Sequence, residues 1–267
     1  MIESRSSAPG DDQAAPRARD DARRVAIQAL CVALATALAF GVPFLAQQIA
    51  LEAGRGWLVA SPAHDGPFLA FLYLQHGLQA LLALLCMVAL RRTTGADFGL
   101  RWPPTARPVV MAAVVAFAVC CAFTLLAYLP NLLAGAPPPP PHPLSTGSIA
   151  GWSLFEGGFV GPTEEILFRA LIIGYLATTL RGATRLGSLR ISWATIIAAI
   201  LFGLAHMVGA QGPWWRSAFQ VSYAIVLGLI YGYWFERGRS LLAPAIAHNI
   251  TDFAALAAGF AITALWR

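Results

Sequence analysis

The chain has 267 residues, 58% of them hydrophobic and only 12% charged, with a mean hydropathy of +0.64. A soluble globular chain carries about 25% charged residues, so this composition excludes one and leaves a polytopic membrane protein. The net charge of +5 comes from 18 basic residues, all arginine; their bias to one side of the membrane explains the pI near 9.4 without a nucleic-acid partner.

At about 20 apolar residues per span, helices are predicted near 25–50, 67–90, 108–134, 150–180, 192–210, 218–236 and 241–265. The expected fold class is all-α, a polytopic membrane helix bundle of about seven transmembrane helices. Four units are expected along it: a disordered cytoplasmic tail (1–22), N-terminal scaffold helices (23–135), a Pro-rich external loop (136–146) and a second, working membrane domain (147–267).

The tail mixes Asp, Arg, Pro and Ala without apolar periodicity, and the run after it is too long for a signal-peptide core. Cys31, Cys86, Cys120 and Cys121 lie in apolar runs without metal-binding spacing and read as small buried hydrophobes. Fourteen arginines fall in the tail and the second, fourth and sixth loops; only Arg55, Arg216 and Arg267 fall on the opposite side. The positive-inside rule then predicts a cytoplasmic N-terminus, in a cell inner (plasma) membrane.

The third loop holds six prolines between Pro137 and Pro143, broken only by His142, a stiff polyproline stretch. Spans before it carry almost no ionisable groups. Every span after it but the sixth holds at least one in its interior, and the sixth ends at Glu236. Gly228 and Gly232 in the sixth predict close helix packing.

The fourth span carries Glu164-Glu165-Ile166-Leu167-Phe168-Arg169 after Gly161-Pro162-Thr163. An ionisable group at the centre of a span costs roughly 2.5–3.5 kcal/mol on insertion scales, so these need one another or a polar cavity. Proline suits a first helical turn, so a helix or kink is expected to start at Pro162, with its amides favouring the glutamates. Glu165 and Arg169, four apart, share a face and are predicted to pair. Glu164 points about 100° away and is free for chemistry. Glu156, eight residues earlier, is expected at the outer mouth, and His64, His76 and His142 in incidental roles.

The fifth span has one ionisable group, His206, and the seventh puts His248 and Asp252 four apart on one face. Glu164, His206, His248 and Asp252 form a set suited to zinc and equally to a general base with polar stabilisers. There is no H-E-x-x-H helix, no G-x-S-x-G elbow and no cysteine beside a histidine, so water is the expected nucleophile. Counted from the cytoplasmic ends, His206 lies about 9 Å deeper than His248 at 1.5 Å per residue, an offset that one shared site must close.

The three motifs in this order, Glu164-Glu165…Arg169, Phe202…His206 and His248…Asp252, resemble the CPBP intramembrane proteases over roughly 155–255. That family includes type II CAAX prenyl endopeptidases (Ras-converting enzyme) and bacteriocin-processing and self-immunity proteins. The resemblance implies an intramembrane (metallo)endopeptidase in which Glu164 activates water, Glu165 and Arg169 support it, and His206, His248 and Asp252 stabilise the oxyanion or bind one divalent metal, zinc, together with Glu164. The implied partner is a membrane-embedded or membrane-associated peptide or protein. A non-catalytic immunity or scaffold protein that binds a peptide in the same cavity is the alternative. A proton-coupled transporter is weaker for want of internal repeats.

Overall fold

The computed structural model of the protein describes residues 14–60, 65–136, 138, 140–207 and 213–266. Seven helical stretches carry the fold: α1 (Ala14–Ala60), α2 (Asp65–Thr94), α3 (Arg107–Ala134), α4 (146–176), α5 (Trp193–Ala205), α6 (Trp214–Gly238) and α7 (Leu242–Leu265). Among them α1, α2, α3, α6 and α7 are each long and apolar enough to cross a membrane. The chain is a polytopic helical membrane protein. Helix α1 already begins at Ala14, inside the stretch expected to be a disordered tail; residues 1–13 and His64 lie outside the described residues.

The bundle is built inside out relative to a soluble protein. On α1 the buried face is small, with Cys31, Ala35, Ala39, Val42, Ala46 and Ala50 at helical spacing, while Leu30, Phe44 and Leu45 stand exposed. Small residues let backbones approach where no hydrophobic force gathers the helices, and the large apolar side chains form the lipid face. Cys31, Ala35, Ala39 and Val42 of this stripe cluster with Ala83 and Met87 of α2 and with the C-terminal part of α4, where Leu167, Leu171, Ile172 and Leu176 are fully buried. A second cluster joins Ala112 and Ala116 of α3 to Tyr231 of α6 and Ala243 and Ala247 of α7.

An element that the apolar reading does not foresee links α4 to α5: a two-stranded antiparallel hairpin, β1 (Ala183–Leu186) and β2 (Leu189–Ser192). Its two-residue turn opens on Gly187 at φ +60°, the conformation a tight hairpin requires of glycine. Strands of four residues containing arginine leave no readable alternation. Ser192 caps α5 by accepting from the Thr195 amide (3.0 Å), and the Ser192 and Thr195 hydroxyls donate to Glu236 at 2.7 and 3.0 Å. Glu236 thus fastens the end of α6 to the start of α5.

Gly228 and Gly232 do pack tightly within the chain. A Cβ at Gly228 would lie 3.1 Å from Ala199, and one at Gly232 2.7 Å from Thr195, both on α5. The α2–α3 loop ties down α7: the Leu241 amide donates to Gly99 (3.0 Å) and the Ser240 hydroxyl to the Arg101 carbonyl (2.5 Å). In that loop burial pushes the Asp97 carboxyl up, but the Gly99 amide and Arg101 guanidinium more than offset it and hold it below its ordinary value.

Candidate active site

Helix α4 runs through the centre of the bundle, and Pro162 does not start it. The helix starts at Thr146, capped by Ser145, and continues through two π-helical stretches, Phe155–Phe159 and Ile166–Ile173, that flank the α-helical Val160–Glu165. Proline is tolerated there because a π turn before it already breaks the regular hydrogen-bond ladder. The glutamates therefore sit mid-helix, without the free first-turn amides expected of them.

Gly161 explains how close α4 comes to α7. Its amide donates to Asn249 Oδ1 at 2.9 Å, and a Cβ would collide with that oxygen and lie 2.8 Å from the Ala245 carbonyl. Gly161→Ala is expected to wedge the helices apart and destabilise the protein by about 1–3 kcal/mol, the usual range for overpacking. Thermal unfolding in detergent, compared with Gly158→Ala, checks this, because a Cβ at Gly158 meets nothing within 4 Å.

The adjacent glutamates part as the helical angle predicts. Glu165 is fully buried; its Oε2 lies 3.0 Å from Arg169 Nε and its Oε1 2.8 Å from His248 Nδ1. The Arg169 terminal nitrogens have no hydrogen-bond partner among the described residues, and the guanidinium lies 4.4 Å from the Phe202 ring centroid and 5.2 Å from that of Tyr231. Aromatic faces stabilise a desolvated cation there. Glu164 keeps 17% of its side-chain surface, and it faces a cavity of about 290 Å³ that it lines with His206, His248 and Asp252.

His248 is gripped on both ring nitrogens. Opposite its Nδ1 contact with Glu165, its Nε2 lies 3.2 Å from Asp252 Oδ2 and 3.9 Å from Glu164 Oε2. The ring stacks on Tyr231 (centroids 5.1 Å apart, planes 23°) and meets the edge of Phe202. His206 follows the last residue of α5, and its Nδ1 lies 2.8 Å from the Phe202 carbonyl. A carbonyl only accepts, so that nitrogen carries the hydrogen, and a neutral His206 has its lone pair at Nε2. His206 and His248 line one cavity, so the depth offset counted along ideal spans does not keep them apart.

Two residues set aside by the sequence reading belong to this cavity. His76 of α2 lines it, with Nδ1 3.9 Å from Glu164 Oε1 and 3.4 Å from Thr163 Oγ1. Glu156 lines it too, because the π turn between them reorients it relative to Glu164. His76 was legible by the rule that singled out His206, a titratable group in an apolar span; Glu156 was not, since nothing in the sequence announces a π turn. His142, also expected to be incidental, stacks on Trp152 at 3.5 Å, outside the cavity.

Glu164, His206, His248 and Asp252 offer donor types that suit zinc. Among the described residues, however, no three His, Cys, Asp or Glu side chains are disposed to hold an ion. In this arrangement Nε2 of His248 faces Asp252 and Glu164, and Nδ1 faces Glu165.

Residues 146–254 match the family of Rce1-like type II CAAX prenyl endopeptidases. No curated protein and no solved structure matches the chain. The matched segment contains every side chain of the cavity described above except His76.

Proposed function

Because the chain carries a domain of the Rce1-like type II CAAX prenyl endopeptidase family, whose members are hydrolases of protein substrates, we propose that it is an intramembrane endopeptidase working by glutamate-activated water. The observation that carries this is one partly exposed carboxylate, Glu164, set between His76 and His248 at 3.9 Å each. That distance is too long for a hydrogen bond and suits a bridging water.

In this reading a water beside Glu164 gives one proton to the carboxylate while its oxygen attacks the scissile carbonyl. The Nε2 lone pair of His206 accepts the other hydrogen and aims the water. His248 shares its Nε2–H between Asp252 and the developing oxyanion, and Glu165 fixes its ring through Nδ1. Asp252 holds the opposite nitrogen. When the C–N bond breaks, Glu164 returns its proton to the leaving amine. Glu165 and Arg169 are positioning residues that touch no reacting atom.

The substrate is a membrane-embedded or membrane-associated peptide or protein, which the apolar setting of the cavity supports. The arginine bias supports a multi-pass protein of the inner membrane with a cytoplasmic N-terminus.

Purified protein in proteoliposomes, offered a library of lipid-anchored peptides and followed by mass spectrometry, tests the reading. Wild type is expected to cleave a subset, and His206→Gln to lower kcat about 100-fold, within the range for proton-transfer partners, with KM little changed. A folded wild type that cleaves no member of the library would overturn it.

A further inference from the structure

The catalytic cavity continues into a larger groove of about 780 Å³ between α1, α2 and α4, with Ala205 of α5 and Gln220 of α6 also lining it, and His76, Glu164, His206 and Gln220 line both. Anything lying in the groove therefore reaches Glu164. Its walls are apolar, with Phe40 and Phe44 from α1, Leu72 from α2 and Phe168 from α4, but four carboxamides interrupt them: Gln220 on α6, which also lines the catalytic cavity, and, away from that cavity, Gln47 on α1 and Gln75 and Gln79 on α2. Spanning a membrane does not require these, and leucine would serve in each place. Gln79 is 4% exposed, and its Nε2 has no hydrogen-bond partner among the described residues. A buried amide without a partner is a standing penalty unless something else completes it.

We propose that Gln47, Gln75 and Gln79 clasp the main chain of an extended peptide substrate and lead its scissile bond to Glu164; the proposal rests on the endopeptidase reading. A carboxamide carries a donor and an acceptor, which matches the N–H and C=O of a peptide bond and is indifferent to side-chain identity. A peptide drawn into an apolar groove loses its water partners and needs replacements from the wall. The spacing fits. Gln75 and Gln79 are one helical turn apart, about 6 Å in rise, and alternate residues of an extended chain repeat every 6.6–6.8 Å or about two steps of 3.3–3.4 Å. Successive glutamines on α2 therefore meet successive like-facing amides of one strand edge, and Gln47 meets the opposite edge from α1. The groove offers no charge besides the titratable side chains it shares with the catalytic cavity, so recognition there reads backbone rather than charged side chains.

The experiment uses the full chain in proteoliposomes and the lipid-anchored library peptide with the highest turnover, together with versions N-methylated at single main-chain nitrogens. Gln75→Leu/Gln79→Leu keeps bulk and removes buried amides, so normal folding and membrane levels are expected. In wild type, N-methylation at one or both of two positions two residues apart should raise KM at least 10-fold. In the double variant KM for the unmodified peptide should rise about 10-fold with kcat within 3-fold, and the N-methyl effect should vanish. An unchanged KM, or an N-methyl effect of full size in the double variant, overturns the clasp and leaves the endopeptidase reading standing. Inhibition by a free fatty acid of equal strength in wild type and variant, with unchanged KM, would assign the groove to an acyl chain and likewise overturn the clasp. If wild type cleaves no peptide and Glu164→Gln captures none, both readings fall together.

Discussion

Glu164→Gln is expected to abolish peptide cleavage while leaving membrane levels and thermal stability at wild-type values. The side chain keeps its shape and loses its proton affinity, and loss of a general base typically lowers turnover 100- to 10,000-fold. Stability should hold because Glu164 makes no direct hydrogen bond with its histidine neighbours, which lie 3.9 Å away, whereas the buried ion pair belongs to Glu165. The variant should still bind peptide and so trap substrates for mass spectrometry. Cleavage retained above a few per cent would move the chemistry to another group. Biological complementation by this variant would instead favour a non-catalytic peptide binder.

Arg169→Met should have the opposite profile, with loss of the folded protein rather than of chemistry alone. Removing one partner of a buried pair leaves the other charge uncompensated and costs about 3–5 kcal/mol. Here Glu165 would remain fully buried, and the orientation it gives His248 would be lost. The expected readout is a sharply lower membrane level and a lower unfolding temperature in detergent. Adding Glu165→Gln to Arg169→Met removes the stranded charge, so the double variant should recover part of the stability without recovering activity. A single Arg169→Met variant as stable as wild type would mean that Glu165 does not depend on the guanidinium for its charge.

How much of this was readable from the chain follows from which contacts are local. The pairing of Glu165 with Arg169 and the divergence of Glu164 depend on helical angle alone, and both hold even though Ile166–Ile173 winds as a π helix. The convergence of His206 and His248 was carried by motif order, since the lengths of ideal spans argued against it. Long-range accommodations were hidden. Asn249 receives the Gly161 amide across 88 positions of sequence, and His76 arrives from a helix that reads as scaffold. Pro162 was misread because proline marks a first turn far more often than the middle of a helix. The linking hairpin was hidden because charged, non-periodic segments can form regular structure when solvent-exposed, and apolar periodicity is blind to them.

Helix α5 is apolar but shorter than the helices that can cross a membrane. Thirteen residues rise about 20 Å, against roughly 30 Å of hydrocarbon in an average bilayer. Such a mismatch is relieved when lipid thins around the short element, which brings the headgroup layer toward its end, where His206 sits. Thinning of that kind would shorten the path of water to a carboxylate beside His206. In the proposed endopeptidase reading, lipid thickness then sets how far water must travel to His206, and turnover in thinner bilayers is expected to exceed that in thicker ones.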